Sequence, residues 1–596
     1  MESPVYNLQY PLDASVLIQK KRSIRASLLK QNRIKIHKKI AILGGSTTSL
    51  IADLLELFLL NYGVEAEFYQ SEYGKYWEDA MFENPKLTSF APDFIYIHTT
   101  MRNIISYPSV REDEDVVNSL IEKVYRDYED MWYKLFEKYK CVIIQNNFQK
   151  PLYRLYGNKD ASDAHGRISY INCLNQKFYE FAKHNNNFYI NDIDWLSSCY
   201  GLYNWSEPSY WYMYKCDPAL PAIPELALNV ANIIKSILGL NKKAIALDLD
   251  NTIWGGVVGD DGPEGIEIGK ETAKGELFRD FQSYIKEQKD LGIILTVVSK
   301  NEEENAVAGL NREDNVLSPE DFLVIKANWK QKDQNILEIA ESINIGEDSF
   351  VFVDDNPAER EIVRSQIPGI GVPEIDLPEK NIVVLDRNGY FEATNLSADD
   401  LDRNKMYMEN VERRKSRSRF KNYSDYLKSL EMQAEISEFN PLYIDRISQL
   451  TNKSNQFNLT TKRYTRADIE SMANNEKYVT MYGKLVDKFG DNGVVAITIG
   501  DRRNKEEMDI DLWLMSCRVL KRGMEFAMMD AFVGKCKEMG IKRVYGHYYP
   551  TSKNKMVKSF YGDMGFHLIE ESKEGDGLWL LDISKGYKKK NNIIQV

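Results

Sequence analysis

Cysteine and histidine are scarce, with six of each in 596 residues. Cys141, Cys173, Cys199, Cys216, Cys517 and Cys536 are widely spread and none forms a C-x-x-C pair, so neither a zinc site nor a disulfide framework is indicated. Such thiols fit a reducing compartment. A membrane-spanning run is also missing. The longest apolar stretch, SLIADLLELFLL (49–60), carries Asp53 and Glu56 and is too short for a bilayer, so it reads as an amphipathic helix. The opening MESPVYNLQYPLD lacks the basic-then-apolar order of a signal peptide, and a cytoplasmic protein is expected. Positive charge is not in excess: Lys+Arg 77 against Asp+Glu 89 leaves −12, which argues against nucleic-acid and anionic-membrane binding. No repeat or low-complexity tract is evident.

What is present is enough apolar residue for several cores, 43% hydrophobic and 12% aromatic in a chain longer than one core usually supports. KIAILGGSTTS turns through Gly44-Gly45 into the Leu-rich helix and on to the strand VEAEFYQ, a β-α-β opening that DFIYIHTT (93–100) and CVIIQNNF (141–148) extend. These place an α/β domain at 1–240. A second α/β domain at 241–393 begins with KKAIALDLD. Its strands LGIILTVVS (291–299) and DSFVFVDD (348–355) are separated by helical segments of crossover length, and their continuous apolar character predicts a parallel sheet covered on both faces. Residues 394–438 read as a charged helical linker, with the basic run ERRKSRSRFK (412–421) as a solvated helix face. Residues 439–596 read as α+β, with hairpin-connected strands before the long helix EFAMMDAFVGKCKEMG and a strand-connecting turn at Asp491-Asn492-Gly493.

Chemistry concentrates in the second domain. Asp248 and Asp250, in DLDNT, sit at the carboxyl end of a strand, where open α/β sheets place their ligands. Asp248 suits a nucleophile on phosphorus and Asp250 its acid/base partner, which splits one hard displacement into two easier ones. Two carboxylates repel a phosphate dianion, so a hard cation is needed. Asp354 and Asp355, at the end of a later strand, complete an oxygen ligand set for Mg²⁺ with Asp248 and Asp250. Ser299 ends another strand at a helix start and suits phosphate binding. Lys332 begins a helix and can place a point charge on the transferring group, with Lys330 as its competitor.

The order Asp pair, Ser, Lys, Asp pair resembles the haloacid dehalogenase superfamily. LDLDNTIWGGVVGDDGPEGI, the NW-K-x-K segment and VFVDDNPAERE-VR resemble its FkbH-like branch, subfamily IIIC, as do NQFNLTTKRY (455–464) and VDKFGDNGVV near the C-terminus. The resemblance implies a phosphatase/acyltransferase of polyketide-type pathways that takes the glyceryl group of 1,3-bisphosphoglycerate, releases phosphate and loads the phosphorylated three-carbon acid's carbon skeleton onto the phosphopantetheine thiol of an acyl carrier protein. Family members often carry a cysteine just before the motif serine; here that residue is Val298, which has no nucleophile. Either the acyl group passes directly to the carrier thiol, or another residue substitutes, or the protein only removes or moves phosphate. A stand-alone phosphatase and an idle carrier-binding scaffold are the alternatives. The Trp254-Gly255-Gly256 stretch suits a loop over a small substrate, and Arg360 reads as a fold or salt-bridge residue.

The flanks carry weaker likenesses. Gly44-Gly45-Ser46 resembles the first block of SGNH-type hydrolases, and Asn103 could stand for their oxyanion-hole asparagine. His165 is out of place for the base and His98 reads as a core residue, so a degenerate domain that shapes a substrate or partner site is expected ahead of a working esterase with Ser46 as nucleophile. In the last domain Arg518, Arg522 and Gly523, before the long helix, and Asn554, with Phe560-Tyr561 and Gly565-Phe566, resemble parts of the GNAT acyltransferases. The likeness implies a pyrophosphate or phosphopantetheine site at these residues, in a domain expected to recognise phosphopantetheine or a carrier protein ahead of acetyl-CoA-dependent catalysis, although Lys521 stands where a first glycine is expected. The resulting architecture is multidomain α/β: a central Rossmannoid parallel sheet flanked by an SGNH-like α/β and a GNAT-like α+β domain.

Overall fold

The computed structural model describes residues 8–31, 36–417, 419–454, 456–551 and 553–596. The first seven residues of the opening segment, and Asn455 at the head of NQFNLTTKRY, lie outside the described residues. The chain forms two units: Met1–Ile237 with Arg387–Thr394, and Leu238–Asp386 with Asn395–Val596. Among the described residues no helix is long and apolar enough to cross a membrane.

The first unit is built on five parallel strands, β1 (Ile36–Gly44), β2 (Val64–Gln70), β3 (Phe94–His98), β4 (Val142–Asn146) and β5 (Phe188–Asn191), in the order β2-β1-β3-β4-β5. Every residue of β3 and β4 is buried, and their apolar stretches FIYI and VII suit a sheet covered on both faces. The helix Ser49–Asn61 makes the β1-to-β2 crossover, and Leu54, Leu55, Phe58 and Leu59 are fully buried in it. The strand order reverses between β1 and β3. Gly44-Gly45-Ser46 and Thr99-Thr100 therefore meet where such sheets open a crevice.

The second unit holds two sheets. The first contains β6 (Ala244–Leu247), β7 (Ile294–Ser299), β8 (Val324–Ala327) and β9 (Phe350–Val353), all parallel, in the order β8-β7-β6-β9. Leu247 is in register with Val297 and with Val353, so Asp248 and Asp354 leave adjacent strands side by side. Crossover helices Ala273–Asp290 and Lys332–Ile343 fall where the sequence predicts them.

The second sheet is mixed: β10 (Gln433–Ser437), β11 (Phe457–Asn458), β12 (Tyr478–Asp487), β13 (Gly490–Arg502), β14 (Glu507–Met515), β15 (Arg543–Tyr548), β16 (His567–Glu571) and β17 (Gly577–Asp582). The path is β10-β12-β13-β14-β15-β17-β16, with β11 on β14. Pairing is antiparallel except for β14 and β15, which run parallel across the helix Met524–Glu538.

Three expectations change here. The turn between β12 and β13 is at Lys488-Phe489, where the Asp487 carboxylate accepts from the Phe489 N–H at 2.9 Å; Asp491-Asn492-Gly493 lies inside β13, and Gly493 at φ 66° absorbs an irregular register. The charged segment is not only a helical linker, since β10 within it joins the mixed sheet. Nor is its basic run merely a solvated face. Arg413 is 2% exposed and grips the buried Asp487 with Nε and Nη2, which Arg522 also reaches at 3.0 Å.

Candidate active site

Three strand ends converge on one cluster of oxygen atoms. Asp248 follows β6, Asp354 and Asp355 follow β9, and Ser299 closes β7. Lys332 starts its helix facing them, and its ammonium lies 2.9 Å from Asp248 Oδ2 and 2.6 Å from Asp354 Oδ2. Burial pulls the Lys332 pKa down, but the two carboxylates outweigh it and hold the group above its ordinary value. The competitor Lys330 is exposed and paired with Glu338.

One cation is too few for these acids. Burial, and then the charge of Asp248, raise the pKa of both Asp354 and Asp355 against the opposing pull of Lys332. Among the described residues Asp248 Oδ1 is buried with no hydrogen-bond partner. The carboxylates of Asp248, Asp354 and Asp355 offer oxygen atoms within 4.8 Å of one another. An orphaned oxygen and an uncompensated set of carboxylates fit a hard divalent cation, which takes oxygen ligands only.

The carboxylate of Asp250 does not belong to that set, which corrects its assignment as a side-chain metal ligand. It is held elsewhere: Oδ1 accepts from Trp254 Nε1 at 2.9 Å and from the Val258 N–H at 3.0 Å, and Oδ2 accepts from Asn301 Nδ2 at 2.8 Å. A carboxylate has about four acceptor positions. Three fixed donors leave one for a proton in transit. The glycine-rich stretch after the nucleophile therefore wraps Asp250 itself, with Gly256 at φ 93° making the turn.

Sequence reasoning missed Asn301 and Thr252. Asn301, 3% exposed, links Asp250 to the buried Ser299, whose Oγ accepts from the same amide at 3.2 Å. Its signal was the two-residue spacing from Ser299 on a turning backbone. Thr252 Oγ1 accepts from the Asp355 N–H at 3.1 Å, tying the first motif to the last. Arg360 is 1% exposed. Its Nη1 donates to the carbonyls of Asp354 and Asp355, each at 2.9 Å, so it fixes the backbone behind the acids.

The phosphate site expected in the mixed-sheet part is not free. Arg522 spends its guanidinium on Asp487, Asn410 and the Arg518 carbonyl. Asn554 is fully buried, accepts from the Thr551 N–H and donates to the carbonyls of Asn458 and Tyr549. Gly523, at φ 87°, caps the helix Met524–Glu538, but the buried Glu525 carboxyl sits beside that helix start and would repel an anion. Arg518 faces Asp399 instead, at 3.5 Å.

In the first unit Ser46 is buried, and its Oγ donates to the Asp217 carbonyl at 3.3 Å. His98 is fully buried beside it, bonded to the same carbonyl at 2.9 Å, and burial lowers its pKa to about 4. His165 is committed to Asp163 and to the Glu112 carbonyl. Asn103 caps Thr100 and donates to the Gly45 carbonyl. Among the described residues no histidine ring bonds Ser46, so no serine triad is assembled here.

The family described as "FkbH, N-terminal domain" matches residues 39–235, the part whose own motifs were least specific. No curated protein matches the chain. The N-terminal part of the protein BF1531 from Bacteroides fragilis, solved as containing a phosphatase domain complexed with Mg, is 30% identical; the match covers 63% of this chain and 99% of that one, with a TM-score of 0.58. Ard1 from Thermoplasma volcanium matches 25% of this chain and 97% of its own at 22% identity and a TM-score of 0.20. The GNAT domain of S. lividans PAT matches 25% of this chain and 90% of its own at 16% identity and 0.21. The last two scores are too low to carry an argument. With the four-part motif assembled in space, the family match over the first unit and a relative of this identity spanned almost end to end, the chain belongs to the FkbH-like family.

Proposed function

We propose that this chain is a Mg²⁺-dependent phosphatase acting on a phosphorylated small molecule. The observation that carries the reading is the orphaned Oδ1 of Asp248 in a cluster where Lys332 spans Asp248 and Asp354 and still leaves the acids short of positive charge. Asp248, Asp354 and Asp355 would hold the ion, which when bound neutralises a phosphate dianion beside carboxylates. Asp248 attacks phosphorus, the phosphorus–oxygen bond to the leaving group breaks, and Asp250 gives its proton to the departing oxygen. Asp250 then takes a proton from water, whose oxygen attacks the aspartyl phosphate and frees Asp248. Ser299 and Lys332 bind the remaining phosphoryl oxygens.

The finer reading, supported by the family resemblance, is that the substrate is 1,3-bisphosphoglycerate and that the glyceryl group passes to the phosphopantetheine thiol of an acyl carrier protein. Val298, fully buried in β7, favours a second reading, since it offers no thiol for a covalent acyl-enzyme. Under that reading the protein stops at phosphate release. The deciding experiment incubates the full chain with Mg²⁺, bisphosphoglycerate and a holo carrier protein, with an apo carrier and EDTA as controls. Loading predicts a glyceryl mass increase on the holo carrier alone. Phosphate release with an unmodified holo carrier establishes the plain phosphatase, and no Mg²⁺-dependent phosphate release rejects both readings.

Asn301 is a positioning residue under this reading, since its amide sets the plane of Asp250. Asn301→Ala is expected to lower kcat for phosphate release by about 10- to 100-fold, the usual cost of losing a group that orients a site ligand or base. KM and the melting temperature should stay close to wild type. A parallel loss in KM and stability would assign Asn301 to the fold instead.

A further inference from the structure

The second unit contains a cavity of about 280 Å³ at the end of the parallel sheet opposite the acids. Lys243 precedes β6, and residues 344–349 precede β9, whereas Asp248 and Asp354 follow those strands. At about 3.3 Å per residue, Lys243 and Asp248 are separated by roughly 16 Å of strand. The far wall comes from the mixed-sheet part, at Met515 to Arg518 and Lys453.

The lining is ionic and unbalanced. Six basic side chains (Lys243, Arg403, Arg446, Lys453, Arg518 and Lys553) face four acidic ones, an excess of two cations. Asp400 takes both Arg403 and Lys453, and Lys553 takes Asp348. Arg446 and Arg518 are left to share one oxygen of Asp399, at 2.9 and 3.5 Å. Among the described residues neither contact is a hydrogen bond at Arg446 Nε or Arg518 Nη2, both buried, while Arg446 Nη1 donates to Gln449 and Arg518 donates to Ser516 and to the Met406 sulfur. Lys243 makes no ion pair among the described residues. Buried cations without counter-charge are costly.

We infer that this cavity is a second anion site, separate from the acidic cluster, that takes the dianionic phosphate of a small phosphate monoester. Two surplus charges match a dianion, and lysine ammoniums such as Lys243 bind phosphate as point charges. The volume lies just below the range of drug-sized ligands, which suits a compound of a few carbons. Burial already pulls the Lys453 pKa to about 7 and that of Arg446 to about 10, the penalty that a bound anion would remove. Cys517 also lines the cavity, with its Sγ 3.8 Å from the Tyr407 hydroxyl, and so reports on occupancy.

The test uses the full chain in EDTA with inorganic phosphate as the probe, at constant ionic strength. Calorimetric titration is expected to show phosphate binding to the wild type and to Asp248→Asn, and a loss of at least about tenfold in affinity for Lys453→Met. The last variant should fold, because Asp400 keeps Arg403, Ser397 and Gln449 as partners. Phosphate at ten times its Kd should also slow iodoacetamide alkylation of Cys517 about tenfold, with the exposed Cys173 and Cys199 unaffected. No binding to the wild type, or wild-type affinity in folded Lys453→Met, overturns the inference, as does unslowed alkylation of a reactive Cys517. If that thiol is inert without phosphate, calorimetry alone decides. Failure of the phosphatase reading would leave the result standing, since Asp248 takes no part in it.

Discussion

Asp248→Asn is expected to lower Mg²⁺-dependent phosphate release by about 10⁴-fold or more, the scale seen when a covalent nucleophile is removed and binding is left intact. The fold should survive. Lys332 keeps its 2.6 Å contact with Asp354, and the variant removes a charge that raises the pKa of both Asp354 and Asp355, so lost attraction is offset by relieved repulsion. The purified variant should therefore melt within a few degrees of wild type while releasing no phosphate from a generic monoester or from bisphosphoglycerate. Phosphate release at the wild-type rate would remove Asp248 from the mechanism and with it the whole reading of the site.

Much of this centre is legible in the sequence, and the reason lies in how parallel sheets present residues. A short apolar strand ending in a carboxylate announces its own polarity, so Asp248, Ser299 and Asp354 could each be placed at a strand end from local pattern alone. Register then does the rest: Leu247 lies beside both Val297 and Val353, so three chain segments about fifty residues apart deliver their side chains to one point. Asp250 was read less well. Its spacing from Asp248 suggests a shared centre, but the backbone turns after β6, with Asn251 at φ 54°, and the carboxylate swings to Trp254, Val258 and Asn301. Periodicity does not encode such a turn. The mixed-sheet part departs from its sequence pattern for a different reason. Arginines before a glycine and a helix look like an anion cradle in any sequence, but partners 30 or more residues away decide whether they are free. Arg522 is consumed by Asp487 and Asn410, and Glu525 sits at the helix start. The hairpin shows the same limit. Asp491-Asn492-Gly493 has turn chemistry, but Arg413 and Arg522 pin Asp487, and the turn closes beside that buried anchor.

Lys332→Met should separate the structural role of the lysine from that of the metal. Lys332 is 4% exposed and is the cation in contact with Asp248 and Asp354. Its removal in EDTA leaves three mutually repelling carboxylates in a buried setting, and breaking a buried pair of this kind costs about 3–5 kcal/mol. The pKa values of Asp354 and Asp355, already raised by burial and by Asp248, should rise further. A folded-state carboxyl pKa above its unfolded value means that the native state binds the extra proton, so stability is gained as pH falls through the raised pKa and lost as pH rises. In EDTA the variant should therefore melt higher at about pH 5 than at about pH 8, more markedly than wild type. Saturating Mg²⁺ should recover most of the lost stability at the higher pH, because an ion bound only by the native state supplies the missing charge. Melting curves at two pH values, with and without Mg²⁺, check all three effects. A variant whose melting point ignores both proton and metal would show that Asp248, Asp354 and Asp355 do not share one ion.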